Sequence, residues 1–247
     1  MIQIIPINNL PIFKLNDDLV SILTEKFNDI QENDVIVIAH TIISRIEGKE
    51  IDLNTINPSE MAKIIAQRAD KDPRVVEVVL RESKTIVRMS DALIISETKH
   101  GFICANAGVD QSNATPNHVL TLPDDPDMSC KQIQEQIYKK LGKKVGVIIS
   151  DTFGRVFRKG TTNIAIGTSG FSPIQSYKGK KDLFGYILKT TEVCIADELA
   201  TAAGILMGQS DEGLPVILIR GLTLNIDLYN QHAIKEVTRT RTESLFW

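Results

Sequence analysis

The chain has too little cysteine to be held together by it. Cys104, Cys130 and Cys194 are odd in number and far apart in 247 residues. They make neither a disulfide framework nor a zinc-ligand spacing, and read as buried or incidental thiols of a cytoplasmic protein. The 4 histidines are as scattered, which removes a histidine-rich metal site. No apolar run approaches the ~20 residues that span a bilayer. The opening residues, Met1-Ile2-Gln3-Ile4-Ile5-Pro6, lack the basic-then-apolar order of a signal peptide. A net charge of -3 supplies no basic field for nucleic acid. Internal repeats, low-complexity stretches and a Gly/Ser/Pro linker are missing. So is any Gly-x-x-x-x-Gly-Lys-Ser/Thr loop, so a nucleotide must be held by another device if one binds.

What is present is an ordinary globular composition, 43% apolar and 24% charged, long enough to bury a substantial core. It suits a single unit over residues 1–247, with two closely packed subdomains as the variant on that plan. Short strands are expected at Ile2–Ile5, Asp34–Ala39, Val145–Ile149, Ile164–Gly167 and Val216–Ile219, and Ile42-Ile43-Ser44 reads as a further extended piece. Val87–Met89, Ala92–Glu97 and Phe102–Ala105 follow one another with short gaps, which predicts antiparallel pairing. Helical spacing marks Asp17–Phe27, and helices are expected from Asn57-Pro58, from Asp72-Pro73 to about Glu82, from Asp127–Ser129 to about Leu141, and over Glu192–Met207. Hairpins mixed with long helices predict an α+β fold, with mixed or antiparallel sheets and packed helices.

Oxygen-bearing side chains cluster where strands are expected to end. Asp151 and Thr152 follow the apolar run at Val145–Ile149, and Arg155 and Arg158 come just after. Asp110 and Asn113 lie in a loop with Gly108. Gln209, Asp211 and Glu212 lie between Gly208 and Gly213, ahead of Pro215-Val216-Ile217. Oxygen donors without cysteine or histidine beside them suit hard cations such as Mg2+ or Mn2+, which commonly serve phosphates. Asp110 and Asp151 could share one ion, with Thr152 beside a second. Each segment alone is equally well a turn: Asp-Thr and Asx turns cap neighbouring backbone, and acidic loops are solvated. Thr41, Ser44, Arg45 and Glu47 follow a buried strand, and Arg45 could neutralise phosphate charge. Lys178, Lys180 and Lys181 with Gly179 form a basic stretch that could close over an anionic substrate or simply face water.

Taken in order, these segments resemble the coenzyme F420-0:γ-glutamyl ligase family. The likeness runs through Leu10-Pro11, His40–Gly48, Asn106–Asn113, Leu122–Asp127, Ser150–Arg158, Lys180–Gly185 and Met207–Pro215, and is weakest from Leu224 to Trp247. The resemblance implies a homodimer of unusual α+β fold, without a Walker-type phosphate loop. It further implies two divalent cations, Mg2+ or Mn2+, with K+ as a further candidate ion. GTP would be co-substrate, L-glutamate the donor amine, and a deazaflavin cofactor precursor the acceptor. By matching position, Asp110 and Asp151 would hold one cation, and Thr152 and Gln209 the other. Leu10, Pro11, Ile12, Phe13, His40, Thr41, Arg45 and Asn113 would line the nucleotide site. So would Met207, Gly208, Gln209, Ser210, Asp211, Glu212, Gly213 and Leu214. Many relatives carry lysine where this chain has Arg45, which keeps the charge and changes the geometry. Arg155 and Arg158 are expected to stabilise transition-state charge, so that Arg155→Ala lowers turnover more than it weakens folding. Two other readings of the same residues are a metal-dependent phosphohydrolase and a nucleotide-binding regulator without catalysis.

Overall fold

The structure is a computed structural model that describes residues 1–230 and 232–245. Its elements run β1 (Gln3–Pro6), α1 (Leu19–Lys26), β2 (Val35–Ala39), α2 (His40–Ile46), β3 (Glu50–Asp52), α3 (Glu60–Ala69), α4 (Pro73–Glu82) and β4 (Ser83–Met89). They continue with β5 (Ile94–Thr98), β6 (Ile103–Ala105), β7 (His118–Leu120), α5 (Pro126–Leu141), β8 (Gly146–Arg155), β9 (Arg158–Ser169), β10 (Ile174–Ser176), β11 (Glu192–Cys194), α6 (Ile195–Met207) and β12 (Val216–Arg220). The fold is α+β, as expected.

A five-stranded sheet in the order β1-β12-β2-β8-β9 carries the main core. Only β2 and β8 run parallel; the other neighbours are antiparallel. Consecutive residues of β2, β8 and β12 are fully buried, so both faces of the sheet are covered, with α5 and α6 packed against it. A second core gathers Leu53, Ala62, Ile65, Val76, Val79 and Ile94 around α3, α4 and the three-stranded sheet β4-β5-β6. Among the described residues no helix is long and apolar enough to cross a membrane.

Local chemistry sets most boundaries, and several differ from expectation. Ile42-Ile43-Ser44 is helical, inside α2, not extended. The β-branched run favours a strand locally, but helix geometry buries both Ile42 and Ile43 as the chain turns back from β2. Helix α3 opens after Ser59, whose hydroxyl caps Ala62, rather than at Asn57-Pro58. Asp125, not Asp127, caps α5 through the Met128 amide. Glu192–Cys194 is a strand paired with β10, so α6 starts only at Ile195. The largest difference is in β8 and β9, which run far past their apolar stretches as a hairpin. Asp151 and Thr152 therefore lie within a strand, not after one.

Candidate functional site

Strand register brings one end of the five-stranded sheet to a point. In the parallel pair, Ala39 of β2 faces Ser150 of β8, and the pairing stops there. The next residues, His40 and Asp151, are consequently neighbours, with Nε2 of His40 3.3 Å from Oδ1 of Asp151. Strand β12 runs antiparallel to β2, so its entry is at this same end, where Ala39 donates to the carbonyl of Pro215 at 2.9 Å. Strand β1 pairs with β12 and leaves it at this end too, which delivers the residues from Leu10 to Phe13.

The result is a cavity of about 350 Å³, within the size range of ligand clefts. Its lining includes Leu10, Pro11, Ile12 and Phe13 from the β1 exit, and His40, Thr41 and Arg45 from α2. Asp110 and Asn113 come from the loop before β7, and Asp151 and Thr152 from β8. Met207 ends α6, and Gly208, Gln209, Ser210, Asp211, Gly213 and Leu214 come from the turn after it. Ser112, Ser150 and Asn163 also line it, though nothing in the sequence singled them out.

Three expected residues lie elsewhere. Glu212 turns its carboxylate back onto the amide of Ser210 at 2.8 Å and closes the turn. Gly208 has φ +68 and ψ -162, a backbone conformation that only glycine adopts readily, so this tight turn needs glycine. Arg155 and Arg158 sit on the exposed tip of the β8–β9 hairpin, outside the cavity, where Nη2 of Arg155 donates to the carbonyl of Lys159 at 3.0 Å.

Several polar groups in the cavity have a fixing contact. The Asp110 carboxylate accepts from the amide of Ser112 at 2.7 Å and from its hydroxyl at 2.9 Å. Just before it, Asn106, Ala107 and Gly108 all take positive φ, a left-handed turn that redirects the chain towards the cavity. Asn113 spans the opening, donating from Nδ2 to the carbonyl of Ser210 at 3.3 Å. Its own carbonyl accepts from Arg45, whose Nη2 also lies 3.5 Å from Glu50. Oδ1 of Asp151 accepts from the amide of Thr152 at 2.6 Å. Nε2 of Gln209 donates to Oγ1 of Thr152 at 3.1 Å.

Charge decides what the cavity accepts. Burial opposes a proton on His40, but the carboxylates of Asp151 and Asp110 outweigh it and hold the imidazole above its usual range. Against the carboxylates of Asp110, Asp151 and Asp211 the cavity sets, among the described residues, only Arg45 and His40. A bare polyphosphate would meet more negative than positive charge. The donor set suits hard cations, which would reverse that balance: two carboxylates, the Thr152 hydroxyl and the Gln209 amide, all through oxygen. Among the described residues no three or more His, Cys, Asp or Glu side chains are grouped to hold a metal alone. An incomplete protein shell is what Mg2+ commonly has, with one or two carboxylates and the rest supplied by phosphate and water. Nε of Arg45 is buried and has no hydrogen-bond partner among the described residues, and an incoming oxygen would satisfy it.

Comparisons with known proteins agree on one family. A sequence model of the F420-0:Gamma-glutamyl ligase family matches residues 8–221. The coenzyme F420:L-glutamate ligase of Methanocaldococcus jannaschii is 49% identical over 238 residues, covering 96% of this chain and 94% of that one. That of Methanothermobacter thermautotrophicus is 44% identical, covering 99% of this chain and 98% of its own. That of Archaeoglobus fulgidus is 37% identical, covering 99% and 96%.

Proposed function

The chain belongs to the F420-0:gamma-glutamyl ligase family, and from that premise we propose that it joins L-glutamate to the terminal carboxylate of coenzyme F420-0 in a GTP-dependent reaction. One observation carries the reading: Asp110, Asp151, Thr152 and Gln209, from three separate segments, meet Arg45 in a single cavity. The relatives named above are coenzyme F420:L-glutamate ligases, which supports the same substrate pair.

A carboxylate does not condense with an amine in water, because the leaving group would be oxide. In the proposed route an acceptor carboxylate oxygen bonds to the γ-phosphorus of GTP, the β–γ bridge breaks, and GDP departs. The amine of glutamate then attacks the acyl phosphate carbon, the C–O bond breaks, and inorganic phosphate leaves as the nitrogen gives up its proton. Divalent cations, held by Asp110 and Asp151 on one side and by Thr152 and Gln209 on the other, would offset charge developing on the phosphoryl oxygens. Arg45 would bind phosphate through its unpartnered Nε, and Asn113 would close the opening over the nucleotide. Leu10 to Phe13 would supply apolar surface for the base.

The homodimer belongs to the same proposal. Val156 and Phe157 at the hairpin tip, beside two arginines, are 65% and 88% exposed. A tip seated on a second copy would cover them and carry Arg155 and Arg158 towards the partner's cavity.

The test is GDP release by purified protein with Mn2+, GTP, L-glutamate and F420-0, with product mass followed in parallel. Release that requires both acceptor and glutamate, with a mass gain of glutamyl units, is expected. Release without either substrate would make the protein a phosphohydrolase, and nucleotide binding without turnover would make it a regulator.

A further inference from the structure

We propose that Asn163 is a positioning residue that holds the Gln209 amide with its oxygen, not its nitrogen, towards the second cation. The proposal rests on the cation site read above and names the part of the chain that makes it selective.

A glutamine amide has two ends of similar shape. Only the oxygen can ligate a cation; the NH2 end carries hydrogens that a cation repels. Something must choose between the two orientations. Thr152 cannot do so alone, because its hydroxyl both donates and accepts. Asn163 is the residue directly opposite Thr152 across the β8–β9 pair. Its Oδ1 can only accept, and it takes Nε2 of Gln209 at 3.4 Å while the same nitrogen donates to Thr152 at 3.1 Å. With both acceptors at the NH2 end, Oε1 of Gln209 is left without a hydrogen bond among the described residues.

Asn163 is itself held. It is 9% exposed. Its Nδ2 points to the thioether of Met207 at 3.8 Å, a weak acceptor that offers nothing to an amide oxygen. Its backbone carbonyl accepts the hydroxyl of Thr201, on α6, at 2.8 Å. Helix α6 makes room with Gly204, where an added Cβ would lie 2.7 Å from both Cγ and Oδ1 of Asn163. A glycine inside a helix ordinarily weakens it; here it is the seat of the positioning side chain.

The experiment is a Mn2+ titration followed by electron paramagnetic resonance in the presence of GDP, on protein whose melting curve has been recorded. Wild type is expected to bind two ions. Asn163→Leu, which keeps the shape and removes the acceptor, is expected to weaken one ion by about 10–100-fold, the range for groups that orient a ligand. Asn163→Asp keeps an acceptor facing Gln209, adds negative charge to the cavity, and is expected to bind both ions at least as tightly as wild type does. Gly204→Ala reaches the same contact from the helix and is expected to weaken the same ion and leave the other unchanged. In a Gln209→Ala background, Asn163→Leu is expected to add no further loss. Two ions bound unchanged by Asn163→Leu would overturn the proposal, as would equal loss of both ions. No Mn2+ bound by wild type would instead remove the cation site on which it stands.

Discussion

The two halves of the β8–β9 hairpin are built from one continuous ladder and behave as different materials. In the near half Val147, Ile148 and Ile149 are fully buried, with β2 on one side and β9 on the other. In the far half β8 has lost β2, and the ribbon ends in Val156 and Phe157, both largely exposed. Asp151 and Thr152 sit where one half becomes the other. The sheet behind them fixes their backbone, and the missing neighbour beside them leaves room for the cavity. Sites built on rigid elements hold their geometry better than sites on loops, and this one takes its access from the same place that its rigidity ends. A two-stranded ribbon alone is marginally stable, so the far half needs a surface to rest on if Arg155 and Arg158 are to act.

The two halves should separate most sharply when the junction between them is changed. Asp151→Asn is expected to lower turnover by about 100-fold or more, since a lost cation contact is worth several kcal/mol. The circular dichroism spectrum should stay native, because the amide can still accept from Thr152. In the near half, Ile148→Ala should do the reverse. Denaturant unfolding should show about 2–5 kcal/mol of lost stability, with turnover of the folded fraction unchanged. At the far tip, Arg155→Ala should lower turnover with little change in melting temperature. Mixing it with Asp151→Asn should then restore about a quarter of wild-type activity, because half of randomly reassorted dimers would carry one intact site. Failure of the mixture to recover activity would confine the site to one chain.

The sequence exposed the near half and hid the far one. Val-Gly-Val-Ile-Ile at 145–149 is an apolar block that reads as a buried strand. Thr161, Thr162 and Asn163 are polar, and the ribbon they form has no apolar pattern to betray it. The parallel register that puts His40 beside Asp151 is a long-range property with no local mark. Residues before β7, on β8 and after α6 were legible as a set because the family resemblance ordered them, and the cavity does hold Asp110, Asp151, Thr152 and Gln209. Asn163 was not, since its contribution comes from facing Thr152 across the hairpin and from the space left by Gly204. Ile42-Ile43-Ser44 reads as extended because Ile42 and Ile43 are β-branched, and only packing decides that the segment is helical.

An acidic cavity of this kind should accept a polyphosphate only with divalent cations between them. Calorimetric titration of a non-hydrolysable GTP analogue, with Mn2+ and again with EDTA in its place, tests it directly. Saturable binding is expected with Mn2+, and its loss with EDTA. Equal affinity in both would contradict it, and would mean that Arg45 and His40 suffice to hold the nucleotide.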